Sequence, residues 1–262
     1  MIERNTDIKG ALRSRQRGFF TMPGGLGAGR PGGNGPSGYA AAMLALNPVM
    51  YHRLNDTSGT NFVDSSGNGN TGFAVATVTR NQPPLIGGNT ASIVNADAGG
   101  LTAIQPFPDG HTGGWTVHVI FKKNAIPVNV GDGVFLGLGR DYHGDGWSVL
   151  GNIQPDLAVE VAVVHNEAQI TCRSLPAAYT LGSTMHYTAV RNTSNQLILY
   201  LNGVAVNTVP AVGTNRTSGI GVLLGTGDVY TTASGFYFSD HAWFDYPLSA
   251  AEVATLYAAR NT

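Results

Sequence analysis

The chain has 262 residues, a net charge of −1, only 12% charged residues and 36 glycines. That length allows one large all-β domain or two small ones, and that glycine content means many turns. The near-zero charge gives no general attraction to nucleic acid or membrane, the single cysteine, Cys172, cannot form an internal disulfide, and no stretch reaches the ~20 apolar residues of a membrane span.

Residues 1–40 hold six basic residues (Arg4, Lys9, Arg13, Arg15, Arg17, Arg30) against two acidic ones (Glu3, Asp7). The opening Met1-Ile2-Glu3-Arg4-Asn5 lacks the apolar core of a signal peptide, so a secreted role would need another route, such as lysis. From Met22 to Gly38 the text is MPGGLGAGRPGGNGPSG. Such a segment buries too little apolar surface to offset its ordering entropy. Residues 1–45 are therefore expected to form an extended, basic, Gly/Pro-rich arm. It reads as a flexible linker, as an anchoring arm that orders on a partner, or as a nucleic-acid contact. Few basic residues, with only Phe19 and Phe20 for stacking, speak against the last. Within this segment Tyr39–Leu46 (YAAAMLAL) predicts a short helix, ended by Asn47-Pro48.

The folded domain is expected over residues 48–262. Met50–Leu54 is strand-like. Strand patterns recur at Trp115–Phe121, Val134–Leu138, Trp147–Leu150, Ala158–Val164 and Gly221–Gly225. The stretch Tyr187–Val206 organises the reading. Tyr187–Arg191 alternates, and Asn192–Asn195 is a polar turn. Leu197–Leu201 is apolar on both faces and reads as a central, doubly covered strand. Asn202-Gly203 supplies the two positive-φ residues of a type I′ hairpin, and Val204–Val206 starts the return strand. Ser249 and Glu252 form a capping box, and Val253, Leu256 and Tyr257 give the helix behind it one apolar face. Short strands with Gly, Asn and Asp between them argue an antiparallel sandwich.

Three places could carry chemistry. Asp64-Ser65-Ser66-Gly67-Asn68-Gly69-Asn70 is dense in oxygen ligands of the kind calcium takes, or else Asp64 and Ser66 simply cap a turn. Arg140-Asp141-Tyr142-His143-Gly144-Asp145-Gly146-Trp147 combines charged and aromatic groups on a Gly-hinged loop, as a sugar site does, although Trp147 could face the core instead. Glu160 stands alone in AVEVAVV, and one acid cannot serve as both the acid and the nucleophile or base of a glycosidase. The seven histidines show no His-x-His or His-x-x-x-His spacing, so zinc is not expected. His118 and His186 lie in strand patterns and read as structural. Cys172 reads as a small apolar filler. There is no G-x-S-x-G elbow.

Several segments carry a family resemblance, in order from Tyr51 to Tyr257. They are YHRL followed by DTSGT and VDSSGNGNTG, then the LYLNG hairpin, then FYFSDHAWFDYPLSAAEVATLY. Together they resemble concanavalin A-like, laminin G-type jelly-roll domains. The resemblance implies an all-β, antiparallel jelly-roll sandwich of the concanavalin A-like lectin/glucanase type, here with a Gly-rich extended N-terminal arm and a short C-terminal helix. In that family the aspartate of the D-S-S-G loop and a residue of the last strand often share a structural Ca2+. The matching positions are Asp64, Asn68 and Asp240. His241 departs from the pattern, which has an acidic or small residue there.

Family members bind sugar or protein through rim loops or the concave face. This makes Arg140, Asp141, Tyr142, His143 and Trp147 the expected glycan contacts. Glycosidases on this sandwich use closely spaced acids such as Glu-x-Asp-x-x-Glu, which Glu160 alone does not reproduce, so no enzyme is expected. Bacteriophage tail and capsid-surface proteins often resemble this family. The resulting expectation is a non-enzymatic virion structural protein, a minor tail or capsid-decoration subunit. Residues 1–45 would attach it to other virion proteins in many copies. The domain on the exposed surface would bind host-surface glycans or stabilise the particle. The alternative is a cellular carbohydrate-binding module of an extracellular glycan-active protein, which predicts a secretion signal or a catalytic partner.

Overall fold

Alternating apolar residues drive the chain into two antiparallel sheets whose inner faces share one core. The computed structural model describes residues 38–74, 78–87, 89, 92–95, 101–103, 113–128, 133–138, 147–165, 168–211, 222–224 and 235–261. Strands β1 to β16 are numbered in chain order. The first sheet holds β1 (Met50–His52), β4 (Val78–Gln82), β5 (Ser92–Asn95), β7 (Trp115–Lys123), β12 (Thr184–Arg191), β13 (Gln196–Leu201), β14 (Val204–Pro210) and β16 (Phe236–Phe244). Its order is β14-β13-β12-β7-β16-β5-β4, with β1 pairing on β16. The second sheet holds β2 (Asn61–Phe62), β3 (Gly72–Ala74), β6 (Leu101–Ala103), β8 (Val134–Leu138), β9 (Trp147–Ile153), β10 (Val159–His165), β11 (Ala168–Arg173) and β15 (Val222–Leu224). Its order is β11-β10-β9-β8-β15-β6-β3-β2. Neighbouring strands far apart in sequence mark the crossovers of a jelly roll.

The period-2 alternation of β7 shows how the layers arise. Trp115, Val117, Val119 and Phe121 point between the sheets, where they meet Phe135, Val161 and Trp243. Phe121 and Phe135 stack with ring centroids 4.3 Å apart, and Trp115 sits 6.0 Å from Trp243. Each such side chain, fully removed from water, stabilises the fold by roughly 1.5–3 kcal/mol. Ile120 points the other way, into a second apolar cluster on the outer face of the first sheet.

Two helices cover that outer face. Helix α1 (Gly38–Ala45) buries Tyr39, Ala40 and Met43, and helix α2 (Ala250–Ala258) buries Val253 and Leu256. Asn47 takes a positive φ of 49° just past α1, before Pro48, and ends it. Ser249 caps α2 with the full reciprocal box to Glu252. A short 3-10 turn, Ala259–Asn261, follows. All described residues belong to one compact unit, Gly35–Thr262. The last eight residues of the expected arm therefore pack on the domain as α1. The expected arm's residues 1–37 lie outside the described residues. Among the described residues no helix is long and apolar enough to cross a membrane.

The hairpin forms as expected, with Asn202 at φ 51° and Gly203 at φ 80°. One expectation needs correcting. Leu197–Leu201 is not central. As β13 it lies one step in from the edge strand β14, and β7 occupies the middle. Ile198 and Tyr200 are apolar on the outer face because they join the cluster beneath the helices. The exposed edge, β14, carries Pro210, which an edge position tolerates.

Candidate functional site

The Asp64–Asn70 loop is organised by its own carboxylate. Asp64 Oδ1 accepts the amides of Tyr51 and Ser66, both at 2.9 Å, while Oδ2 accepts Ser66 Oγ at 2.8 Å and the Asn70 amide at 2.9 Å. Gly67 and Gly69 take the positive φ values, 84° and 81°, that let the chain curl this tightly. Burial pushes the Asp64 carboxyl up, but the hydrogen bonds from Tyr51, Ser66 and Asn70 outweigh it and hold it below the usual carboxylate value. The amide nitrogens of Asn68 and Asn70 donate to the Val49 carbonyl at 3.1 and 2.7 Å, and His52 Nε2 lies 2.7 Å from Asn70 O. The loop thus clasps β1.

Asp240 lies on the other side of Tyr51. The backbone of β16 shifts register between Phe238 and Asp240. Phe238 faces the inner core, so without this bulge Asp240 would face it too. Instead it turns outward. Tyr51 Oη donates to its Oδ1 at 2.5 Å, and Asn89 Nδ2 donates to its Oδ2 at 3.1 Å. Asp240 is 1% exposed. Burial lifts its carboxyl to about 7, against the lowering effect of Tyr51, Ser239, Arg53 and Asn89.

The three positions expected to share Ca2+ do not fit one ion. Asp64 spends all four lone-pair directions on N–H and O–H donors. Asn68 turns its amide nitrogen toward carbonyls. Tyr51 bonds Asp64 through its backbone amide and Asp240 through its phenol, so a full tyrosine side chain separates the two acids. Among the described residues no group of three or more His, Cys, Asp or Glu could hold a metal ion.

Among the described residues an open cleft of about 410 Å3 lies between the Pro84–Gly87 segment, β12 and the end of α2. Its volume lies near the lower end of the roughly 300–1,000 Å3 typical of small-ligand pockets. Thr184, His186, Tyr257, Arg260 and Asn261 supply its polar side chains, and none of the described residues lining it is acidic. The LYLNG hairpin sets its floor. Asn202 Oδ1 accepts the His186 amide, and the Gly203 bend packs beneath Tyr257. Gly87 N donates to Arg260 O at 2.8 Å and fixes one side of the mouth. The Arg260 guanidinium lies 3.7 Å from the centre of the Tyr257 ring, a cation–π stack.

His186 is 3% exposed, and neither ring nitrogen has a hydrogen-bond partner among the described residues. Its ring meets the Tyr257 ring edge-on at 5.2 Å. Burial first, then the positive character of His118 and Arg260, pull its pKa down to about 2, so it is neutral. Leaving such a group unsatisfied costs about 1–3 kcal/mol. Neighbouring His118 is different. Tyr39 Oη and Thr188 Oγ1 each lie 2.8 Å from its two ring nitrogens. His118 is thus the structural residue expected, whereas His186 lines the cleft with both ring nitrogens covered.

Of the expected glycan contacts, Arg140, Asp141, Tyr142 and His143 lie outside the described residues. Trp147 opens strand β9, and its side chain is likewise outside them. Glu160 is buried on β10 and accepts from Gln154 Nε2 at 2.5 Å and from Asn152 Nδ2 at 3.4 Å. Arg173 Nε lies 4.0 Å away. These partners include no second acid. Cys172 is buried in the core, and burial pushes its thiol up to about 11, which makes it a poor nucleophile. Sequence reading missed the cleft. Its residues come from three distant segments, and the only local sign was the hairpin that holds His186.

Two antiparallel sheets of eight strands, with helices over one outer face, define a jelly roll of the lectin type. The family model described as the concanavalin A-like lectin/glucanases superfamily, Laminin_G_3, matches residues 95–254. The chain belongs to that family. No curated protein matches it. Similar solved structures include the receptor-binding domain of botulinum neurotoxin mosaic serotype C/D, with 13% identity over 81% of this chain and 51% of that one, at a TM-score of 0.59. The binding domain of botulinum neurotoxin DC in complex with rat synaptotagmin II matches with 11% identity, 82% and 52% coverage, and a TM-score of 0.63. A third is botulinum neurotoxin type C, which depends on interaction with two ganglioside molecules to get into cells. It matches with 12% identity, 84% and 53% coverage, and a TM-score of 0.63. The chain spans about half the length of these structures. At such identities the likeness is one of fold.

Proposed function

We propose that this chain is a non-enzymatic, glycan-recognising surface protein of a bacteriophage particle, a minor tail or capsid-decoration subunit. The observation that carries the glycan part is an open polar cleft with a buried, unpartnered imidazole on a lectin-type sandwich. The ganglioside interaction of a structural neighbour lends support. Residues 140–147, with the side-chain types of a sugar site, are a second proposed contact. A binding role rather than hydrolysis is supported by Glu160, whose partners are amides and a guanidinium.

The virion part draws on the leader. A basic, Gly/Pro-rich stretch ahead of a folded domain suits a tether to neighbouring virion subunits. Many copies on one particle make weak single sites effective. A glycan array probed with the chain on an oligomeric display tests recognition, and hits are expected. A blank array leaves a purely architectural role. Deleting residues 2–36 tests the tether. The shortened chain is expected to stay folded but no longer join particles. Full occupancy without those residues contradicts the tether, and absence of the intact chain from particles favours a cellular carbohydrate-binding module instead.

A further inference from the structure

The cleft beside α2 has a chemistry more specific than a general sugar site. Among the described residues that line it, Arg260 carries the one charged side chain and none is acidic. One guanidinium N–H is used on the Tyr257 carbonyl, with Nη1 at 2.7 Å. A guanidinium has five N–H groups in a planar fork that suits a carboxylate. His186 stays neutral at physiological pH, so the cleft carries one positive charge rather than two. That matches a monoanion better than a dianion such as phosphate. Both ring nitrogens of the unpartnered imidazole are covered in this structure, so a hydroxyl reaches one only by displacing the cleft wall; once there it pairs with either tautomer, because a hydroxyl both donates and accepts. Thr184 and Asn261 add one more hydroxyl and one amide, while Pro84, Leu85 and Ile86 form an apolar wall for the C–H face of a ring. The Tyr257 ring carries Arg260 on one face, so it holds the guanidinium in place.

We infer that this cleft is a binding site for a single carboxylate-bearing sugar unit, held through its carboxylate by Arg260 and through a ring hydroxyl by His186. The inference rests on the glycan-recognition reading and names the ligand class of one of its sites. Thr184, Tyr257 and the Pro84–Gly87 segment shape the cleft around the ring. The site lies on the helix-covered face of the first sheet, away from the 140–147 loop in the sequence.

The test uses the full chain with its histidine rings isotopically labelled for NMR. It is titrated separately with D-glucuronate, D-glucose and acetate. Glucuronate is expected to shift the His186 ring signals saturably, with glucose and acetate each weaker by about tenfold or more. Arg260→Gln, at a partly exposed position, is expected to lower glucuronate affinity about tenfold and so to remove the preference for glucuronate over glucose. His186→Gln, checked for folding by its amide spectrum, is expected to weaken both sugars. Acetate binding as well as glucuronate overturns the sugar assignment. Glucuronate binding that ignores Arg260→Gln, or that leaves His186 unmoved, overturns the site. Array hits with an unmoved His186 keep the lectin reading and remove only this cleft. A blank array and an unmoved His186 remove both.

Discussion

Asn202 holds His186 by both of its backbone polar groups. Asn202 Oδ1 accepts the His186 amide at 3.1 Å, and the Asn202 amide donates to the His186 carbonyl at 2.8 Å. The next residue, Gly203, sits at φ 80°, and a Cβ there would lie 2.8 Å from Tyr257 Cβ. The turn therefore positions two sides of the cleft at once. Gly203→Ala is expected to destabilise the fold through left-handed strain of about 1–2 kcal/mol and through overpacking of roughly 1–3 kcal/mol more. Gly69→Ala, at φ 81° with nothing within 4 Å, should show the strain alone. Urea denaturation of both variants separates the two effects, and equal losses would mean that Tyr257 yields freely.

Helix α1 belongs to the fold. Tyr39 is 1% exposed and Met43 0%. Tyr39→Ala should cost about 3–5 kcal/mol, the range for emptying a large aromatic site, and it also strips His118 of a partner. Deletion of residues 2–46 should then produce an insoluble or unfolded product, while deletion of residues 2–36 should not. Comparable melting temperatures for the two truncations would contradict the packing role of α1.

Stability should fall as pH drops from 7 to 5. His52, His118, His186 and His241 are all held below their ordinary value of 6.5, chiefly by burial. The unfolded chain takes up protons near pH 6.5 that the folded one refuses, so their stabilisation is present above that pH and lost below it. Asp240 acts in the opposite sense. Its folded carboxyl titrates near 7 and its unfolded one near 3.8. Its contribution is therefore complete at low pH and lost as pH rises through 7. Four groups against one decide the direction. Asp240→Asn removes the opposing slope, so its loss on acidification should be steeper. Denaturation midpoints across this window check both statements, and a flat profile for the unaltered chain would contradict them.

Asp64→Ala removes the acceptor of four hydrogen bonds and should cost about 1–3 kcal/mol or more. Because those bonds already use both oxygens, the loss should be the same in calcium and in chelator. A melting temperature that rises with calcium in the unaltered chain, and not in the variant, would restore a cation to the loop.

What was legible in the sequence was local. Asn202-Gly203 and Ser249 with Glu252 each declare a bend or a cap within four residues, and both formed. The alternation in Trp115–Phe121 likewise marked β7. The place of β13 was not legible, because strand order depends on pairings between distant segments. Its two apolar faces reflect a helical cover on one side rather than a central position. Asp240 was grouped with Asp64 by resemblance, but a single bulge at Ser239 turned it to the opposite face. The cleft joins Pro84, His186 and Arg260, which no short motif connects.

Sugar contact by this sandwich underlies the proposed function. Saturation-transfer NMR on the full chain, with a panel of neutral and carboxylate-bearing sugars, is the decisive measurement. Transfer from protein to sugar ring protons, strongest for a carboxylate-bearing sugar and reduced in Arg260→Gln, is the predicted result. No transfer to any sugar in the panel would contradict it.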